Sequence, residues 1–146
     1  MRIKARPIVE GRAEGEALIS KNPISFYGGV DPKTGVVREK GHPLEGVSIA
    51  GKILAFPYGK GSTVGSYIIL ALAKNNVAPK AIINLESEPI IIVGCILANV
   101  PLVDKPEKNI FDIIKNGDYV RIIAKKDNAY ILISRGNTRE ELSGTR

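Results

Sequence analysis

The segment 57–66, with the sequence Pro-Tyr-Gly-Lys-Gly-Ser-Thr-Val-Gly-Ser, holds the residues best suited to chemistry in this chain. It follows an apolar strand predicted at Ile53–Phe56 and runs into a helix predicted at Val64–Lys74, so we expect Ser62 at a helix start. The first turn of a helix has unpaired backbone N–H groups and carries about half a positive charge. A ligand anion, or an alkoxide formed on Ser62, is stabilised at such a position.

The same segment also has a simpler interpretation, in which Ser62 is an N-cap whose hydroxyl satisfies the first helical turn. Two nucleotide-binding motifs fit the segment poorly. Lys60 is followed by Gly61, which a Walker loop does not allow. Gly59, Gly61 and Gly65 leave one residue too many for Gly-x-Gly-x-x-Gly. From the residues alone, Ser62 is therefore either a functional group or a cap.

Three neighbours of Ser62 are candidates for binding an anionic substrate. Lys60 can neutralise a carboxylate or phosphate, and its charge can lower the pKa of the Ser62 hydroxyl. Backbone N–H groups at Gly61 and Thr63 can donate to the same negative charge. A lone surface lysine is usually solvated, so the position of Lys60 beside Ser62 is the reason for choosing it.

A long stretch without regular periodicity, Asn22–Glu45, is rich in Gly and Pro. Loops of more than about 15 residues are uncommon inside compact domains and tend to be functional when they are ordered. Gly28, Gly29 and Asp31 can therefore line a substrate pocket or a subunit boundary. They are also ordinary turn formers, and the whole stretch can be an irregular connection.

The other chemically active side chains fit ordinary roles. His42, beside Pro43, is expected to be a hydrogen-bonded loop histidine. Cys95 lies in an apolar run and is expected to be a small buried hydrophobe. Arg12 is expected to be solvated, and Glu14 shares an exposed strand face with Glu16, too exposed for an acid–base pair.

Composition excludes several classes of protein. One Cys and one His rule out a disulfide framework, a multi-histidine metal centre and a self-contained iron–sulfur site. The net charge of +6 comes from scattered basic residues without an aromatic-rich strand, so an anionic substrate or acidic partner is favoured over nucleic acid. The sequence has no apolar stretch typical of a signal peptide or membrane span, which predicts a cytoplasmic protein.

Hydrophobic periodicity predicts one α/β domain at 1–134, with a mixed sheet or partly closed barrel and flanking helices, and a loose polar tail at 135–146. Strands at Ile3–Val9 and Ala13–Ile19 are interpreted as an antiparallel pair. The remaining predicted elements are strands at Ala81–Leu85 and Val100–Val103, a helix at Pro89–Ala98 that could also be a strand, a helical turn at Ile110–Lys115, and a hairpin of Asp118–Ala124 with Ala129–Ser134.

Four segments in one order carry a resemblance that covers residues 1 to about 134. They are Gly-Arg-Ala-Glu-Gly-Glu-Ala-Leu at 11–18, Pro-Ile-Ser-Phe-Tyr-Gly-Gly-Val-Asp at 23–31, His-Pro-Leu at 42–44 and Pro-Tyr-Gly-Lys-Gly-Ser at 57–62. The set resembles the small subunit of the aconitase X family. The resemblance implies a swivelling β/β/α domain that closes over a separate large subunit.

That resemblance also implies a chemistry. In the family, the serine of the glycine-rich turn is the proton acceptor, and the matching position here is Ser62. A four-iron four-sulfur cluster is expected in the large subunit, and no cofactor is expected on this chain. The implied reaction removes water from (R)-5-phosphomevalonate, giving trans-anhydromevalonate 5-phosphate, in a modified archaeal mevalonate pathway.

Two alternatives stay open at this point. The chain could serve a related enzyme with another substrate, such as cis-3-hydroxy-L-proline. It could also be a non-catalytic binding or regulatory module in which Ser62 only caps a helix.

Overall fold

A closed barrel is the centre of the computed structural model, which describes residues 1–134. The tail predicted at 135–146 lies outside the described residues. Around the barrel the strand order is β1-β7-β6-β4-β2-β8-β9, and β9 pairs with β1 to close it. In chain order the elements are β1 (Arg2–Val9), β2 (Gly11–Ile19), β3 (Ile24–Ser25), β4 (Ile53–Ala55), β5 (Gly59–Lys60), α1 (Gly65–Lys74), β6 (Ala81–Ile83), α2 (Pro89–Ala98), β7 (Leu102–Asp104), a 3₁₀ turn (Ile110–Asp112), β8 (Tyr119–Ala124) and β9 (Ala129–Ser134).

Four neighbouring strands of the barrel are parallel to one another, and this half of the barrel positions the glycine-rich turn at 57–64. The neighbours β2, β4, β6 and β7 all run in the same direction. Helix α1 connects β4 to β6, and α2 connects β6 to β7, as parallel pairing requires. The carboxyl ends of these strands therefore share one edge of the barrel, which we call the carboxyl edge. The segment 57–64 leaves the barrel there, directly after β4.

Two apolar cores hold these elements together. The barrel interior is filled by side chains that alternate along each strand, such as Ile53, Ala55 and Ile122. The outer face of the parallel half carries Leu54 and Ile82, which lie in a second core with both helices. Strands buried on both faces are apolar throughout, and this is why the central strands have no polar alternation in the sequence.

The long loop is ordered and contributes to the second core. Its buried side chains Phe26, Val30 and Leu44 pack with residues of α1 and α2. Isolated bridges join Val30 to Val37 and Val36 to Ser48, so the loop is fastened to itself as well as to the barrel. The long loop at 22–45 is therefore a packed layer of the fold.

The structure corrects one predicted pairing. The strands β1 and β2 exist, but they are not an antiparallel pair: β1 pairs with β7 and β9, and β2 pairs with β4 and β8. A single residue, Glu10, separates the two strands, which is too short for a two-residue hairpin turn. Polarity alternation shows that a segment is a strand and carries no information about its partner.

The other predicted elements are confirmed, with shifted ends. Helix α2 occupies the predicted residues, and the terminal hairpin of β8 and β9 pairs as expected. The short strand β5 was not predicted, and α1 begins at Gly65. None of the helices in residues 1–134 combines the length and apolar composition needed to cross a lipid bilayer.

A buried ion pair fastens the boundary between β1 and β7. Arg6 donates from Nε and Nη2 to the two carboxylate oxygens of Asp104, each at 2.8 Å. Asp104 is fully buried and also accepts the Ser87 N–H at 2.8 Å. Burial alone would raise the pKa of the Asp104 carboxyl, but the hydrogen bonds from Arg6 and Ser87 outweigh it and hold that pKa below its usual range.

We expect Asp104→Asn to lower the free energy of unfolding at pH 7 by about 2 kcal/mol, since Arg6 is half exposed and the pair is only partly desolvated. Because the folded-state pKa of Asp104 is depressed, its contribution is complete above the unfolded-state pKa and is lost as pH falls through the folded-state pKa. Urea denaturation between pH 7 and pH 3 should therefore show the two proteins converging in acid. Asp112→Asn, at an exposed carboxylate, is the control, and a difference independent of pH would contradict the expectation.

Candidate active site

Ser62 is exposed at the carboxyl edge, in a turn just before α1. The first helical residue is Gly65 and the N-cap position is Val64, so Ser62 precedes the helix instead of opening it. Its hydroxyl oxygen accepts the Val64 N–H at 3.1 Å, and its carbonyl accepts the Gly65 N–H at 2.9 Å. The N–H groups of Ser62 and Thr63 have no acceptor within residues 1–134. The turn therefore presents a hydroxyl and free donors together at the positive end of a helix.

Close packing explains two of the glycines in this turn. Gly61 has a φ of +90°, and a Cβ there would collide with the Ser25 hydroxyl. At Gly59 an added Cβ would lie 2.5 Å from Glu88 Oε1 and 2.5 Å from Ile91 Cγ1. The turn is thus pressed against its neighbours on both sides of Lys60.

Ser25 brings the two glycine-rich segments together. Strand β3 pairs in parallel with β5, placing Ser25 opposite Lys60. A Cβ at Gly29 would collide with the Ser25 carbonyl oxygen, and one at Gly61 would collide with its hydroxyl. Gly28, with a φ of +82°, has open space around it. The segment 25–31 and the turn 57–62 consequently form one continuous surface.

Lys60 lies in this surface, and its ammonium group forms an ion pair with Glu39. Its ammonium group is 3.2 Å from Glu39 Oε2, and the side chain is about half exposed. Glu39 comes from the long loop and also approaches Gly29. A half-exposed ion pair of this kind is weak, so an incoming anion can compete with Glu39 for Lys60.

Asp31 is held by its own loop. Its carboxylate accepts the Lys33 N–H at 2.9 Å and a 2.6 Å hydrogen bond from Arg38 Nη2. The Lys33 N–H is the main cause of a pKa below the usual range for this carboxyl, and Arg38 adds to it. Asp31 lines an open cleft with Tyr27, Gly28 and other loop residues, so it shapes this surface while its charge is balanced locally.

His42 supports the same region from beneath. The ring is buried, and its Nδ1 accepts the Leu44 N–H at 3.0 Å. Nε2 lies 3.0 Å from the Pro23 carbonyl oxygen and must be the protonated nitrogen. Both ring nitrogens are therefore used, and His42 acts as a neutral link between the segments 42–44 and 23–31.

Cys95 lies on the buried side of α2, within the second core. Burial raises the pKa of its thiol to about 12. Among residues 1–134, no three His, Cys, Asp or Glu side chains lie near enough to one another to hold a metal ion.

The family model of the aconitase X swivel domain matches residues 2–133 of this chain. The chain belongs to this family. A crystal structure titled Thermococcus kodakaraensis aconitase X, holo-form, superposes with a TM-score of 0.83 at 51% identity, covering 90% of this chain and 98% of that one.

Archaeal relatives of this swivel domain are similar over nearly their whole length. A protein of Methanosarcina acetivorans named phosphomevalonate dehydratase small subunit is 52% identical over 97% of this chain and 98% of its own. A protein of the same name from Archaeoglobus fulgidus is 51% identical over 90% of this chain and 97% of its own.

In this swivel domain, three of the four segments that carried the resemblance meet at the candidate site, and the fourth does not. Segment 11–18 lies on β2 and begins at the other edge of the barrel. There Arg12, Glu14, Lys80 and Arg121 line an open groove of about 820 Å³. Arg12 is therefore far from Ser62, because the two edges of the barrel are separated by the length of a strand.

Sequence analysis missed the residues that hold the turn in place. Glu88 followed by Pro89 is an N-cap signature, and the Glu88 carboxylate does accept the Ile90 and Ile91 N–H groups at 2.9 Å. That pattern predicts a helix start and says nothing of the contact with Gly59. Asn84 and Ser25 carry no signal in the sequence.

We expect the Cys95 thiol to react with a disulfide reagent at pH 8 at least about 100-fold more slowly in the native chain than in urea, because only the thiolate reacts. The measurement is the absorbance of the released thiolate over time. Equal rates with and without urea would show that the thiol is accessible, contrary to the structure.

Proposed function

We propose that this chain is the small subunit of a two-subunit hydro-lyase that dehydrates (R)-5-phosphomevalonate to trans-anhydromevalonate 5-phosphate, a step of a modified archaeal mevalonate pathway. The observation that carries the proposal is the exposed Ser62 hydroxyl, which accepts the Val64 N–H at the start of α1. The names of the archaeal relatives support the choice of substrate.

Ser62 is the proton acceptor in this proposal. In its deprotonated form it takes the proton from the carbon next to the substrate carboxylate, and the electron pair of that C–H bond forms the new double bond. The hydroxyl on the neighbouring carbon leaves with its bonding electron pair as hydroxide, and the proton then held by Ser62 is returned to it through solvent, so that one water is lost and Ser62 is again deprotonated. A serine alkoxide is a strong base that must be stabilised to form at all, and the Val64 N–H and the N-terminus of α1 supply part of that stabilisation.

The departing hydroxyl needs an electrophile, which we assign to a four-iron four-sulfur cluster on the large subunit acting as a Lewis acid. The residues of this chain supply no such group within 1–134. Its contribution is to hold Ser62 and the free N–H groups of the turn against the substrate. Lys60 and the glycines at 28, 29 and 61 then form the wall of the pocket on this side, with Thr63 and Asp31 at its margin.

The surface around Ser62 suits a protein partner. Tyr27, Tyr58, Val64 and Leu85 are each more than one third exposed and lie on the segments that flank Ser62, and exposed apolar side chains grouped in this way are typical of an interaction surface. Tyr58 lies in the turn itself, and the Leu85 N–H donates to the Pro57 carbonyl beside it. We assign this apolar ring to contact with the aconitase X type large subunit, which would exclude water from Ser62 when it docks.

Ser62→Ala should abolish turnover by the reconstituted pair while lowering the free energy of unfolding of this chain by no more than about 1 kcal/mol, the value of one exposed hydrogen bond. Activity is followed as formation of the anhydro product under anaerobic conditions.

Ser48→Ala is the control, since Ser48 Oγ accepts the Ala50 N–H at 3.2 Å with the same spacing in a different loop and also donates to the Thr34 carbonyl at 3.1 Å. It should cost at least as much stability and leave turnover intact. Full activity of Ser62→Ala would make Ser62 a cap only. Turnover of cis-3-hydroxy-L-proline in place of the phosphorylated substrate would keep the role of Ser62 and reject the proposed substrate.

Tyr58→Asp should weaken association with the large subunit at least about tenfold, because it buries a charge in an apolar contact. Isothermal titration of the two subunits measures the dissociation constant. Asn99→Asp adds the same charge at the other edge of the barrel, where α2 ends, and should leave that constant unchanged. Equal binding by both variants would remove the apolar ring from the interface.

A further inference from the structure

The connection between β6 and α2, residues 84–88, contacts the glycine-rich turn at three successive points. Asn84 Nδ2 donates to the Phe56 carbonyl at 3.0 Å. The N–H groups of Leu85 and Glu86 both donate to the Pro57 carbonyl, at 3.0 and 3.2 Å. One step further along, the Glu88 carboxylate lies against Gly59. The connection therefore runs alongside the turn and supports its whole first half.

Among the residues of the connection 84–88, Asn84 alone has no exposure to solvent. Its Oδ1 has no hydrogen-bond partner within residues 1–134. The orientation of the amide is fixed by its neighbour, because the reversed amide would place Oδ1 against the Phe56 carbonyl oxygen. A buried carbonyl without a donor is destabilising, so stability alone favours an apolar side chain here. The amide Nδ2 also reaches the Ile83 carbonyl at 3.4 Å, so the shorter bond to Phe56 is the main benefit of the amide.

The hydrogen bond from Asn84 to the Phe56 carbonyl lies where β4 ends and the turn begins. Phe56 follows β4, and its own N–H donates to the Ile83 carbonyl at 3.1 Å. Asn84 fixes the next group, the Phe56 carbonyl, and thereby the plane of the Phe56–Pro57 peptide. The ring of Pro57 restricts the following φ angle, so the direction set at this peptide is passed into the turn that ends at Ser62.

We propose that Asn84 is a positioning residue for Ser62: its side-chain amide orients the peptide from which the catalytic turn departs. The expected effect of Asn84 on turnover rests on the proposed function of Ser62. Its expected effect on the conformation of the turn rests on the turn geometry alone. Asn84 has no exposed surface and does not touch the substrate.

Two variants test the hydrogen bond itself. Asn84→Leu keeps the approximate size and removes the donor, and turnover by the reconstituted pair should fall on the order of 100-fold, the cost of a displaced catalytic group. Asn84→Asp keeps the shape, and a carboxyl group in this buried position has a raised pKa. Only its protonated form can donate to Phe56. Activity of Asn84→Asp relative to wild type should therefore decline as pH rises, whereas Asn84→Leu should be impaired at every pH.

Ser20→Ala is the control, because Ser20 is also a buried polar residue at the carboxyl edge, where its hydroxyl bonds only to Asn22. Its turnover should remain within about twofold of wild type after correction for the folded fraction. Turnover of Asn84→Leu as high as that of Ser20→Ala, or an Asn84→Asp pH profile parallel to wild type, would overturn the proposal.

Hydrogen exchange of the isolated full-length chain separates this inference from the proposed function. In Asn84→Leu the Leu85 and Glu86 amides, which donate to Pro57, should exchange at least about tenfold faster, while the Ile69 amide within α1 should be unchanged. Unchanged exchange at Leu85 and Glu86 would refute the positioning role. If the wild-type pair does not dehydrate 5-phosphomevalonate, the proposed function fails, and the exchange result still decides the role of Asn84.

Discussion

Closure of the barrel is the constraint on which the rest of this structure depends. Every barrel strand has a partner on each side, so the β4, β6 and β7 strands can be short and buried on both faces, with Asp104 of β7 as their one charged residue. Parallel pairing of these strands forces each connection through a helix and places the carboxyl ends together. The Arg6–Asp104 ion pair joins the neighbouring strands β1 and β7 of this barrel. The glycine-rich turn can then leave β4 from a fixed base.

The candidate site is supported by backbone groups more than by charged side chains. The turn is held by Asn84, Leu85 and Glu86 through backbone carbonyls, and by Ser25 through contact with Gly61. The charges nearby are balanced in pairs, Lys60 with Glu39 and Asp31 with Arg38. The segments around Ser62 are therefore held by backbone contacts and carry little unbalanced charge.

Particular residues show which features of the fold the sequence patterns predicted and which they missed. Apolar periodicity located α1, α2 and the β8–β9 hairpin, because burial imposes a period that can be seen along the chain. It failed for the partners of β1 and β2, since the same alternation suits any neighbour. The strand β5 was missed because two residues are too few to show a period. The ion pair of Lys60 with Glu39 was missed because 21 positions and a long loop separate them.

The sequence by itself determined the family, the α/β class and the position of Ser62 between a strand and a helix, because glycine spacing and apolar runs are local properties of the chain. Only the tertiary structure decided which segments meet. It joined 23–31, 42–44 and 57–62 at one edge, placed the start of 11–18 at the other, and set Asn84 beneath the turn. Those contacts join residues far apart in the chain, and they arise from strand order and helix packing, which no local pattern records.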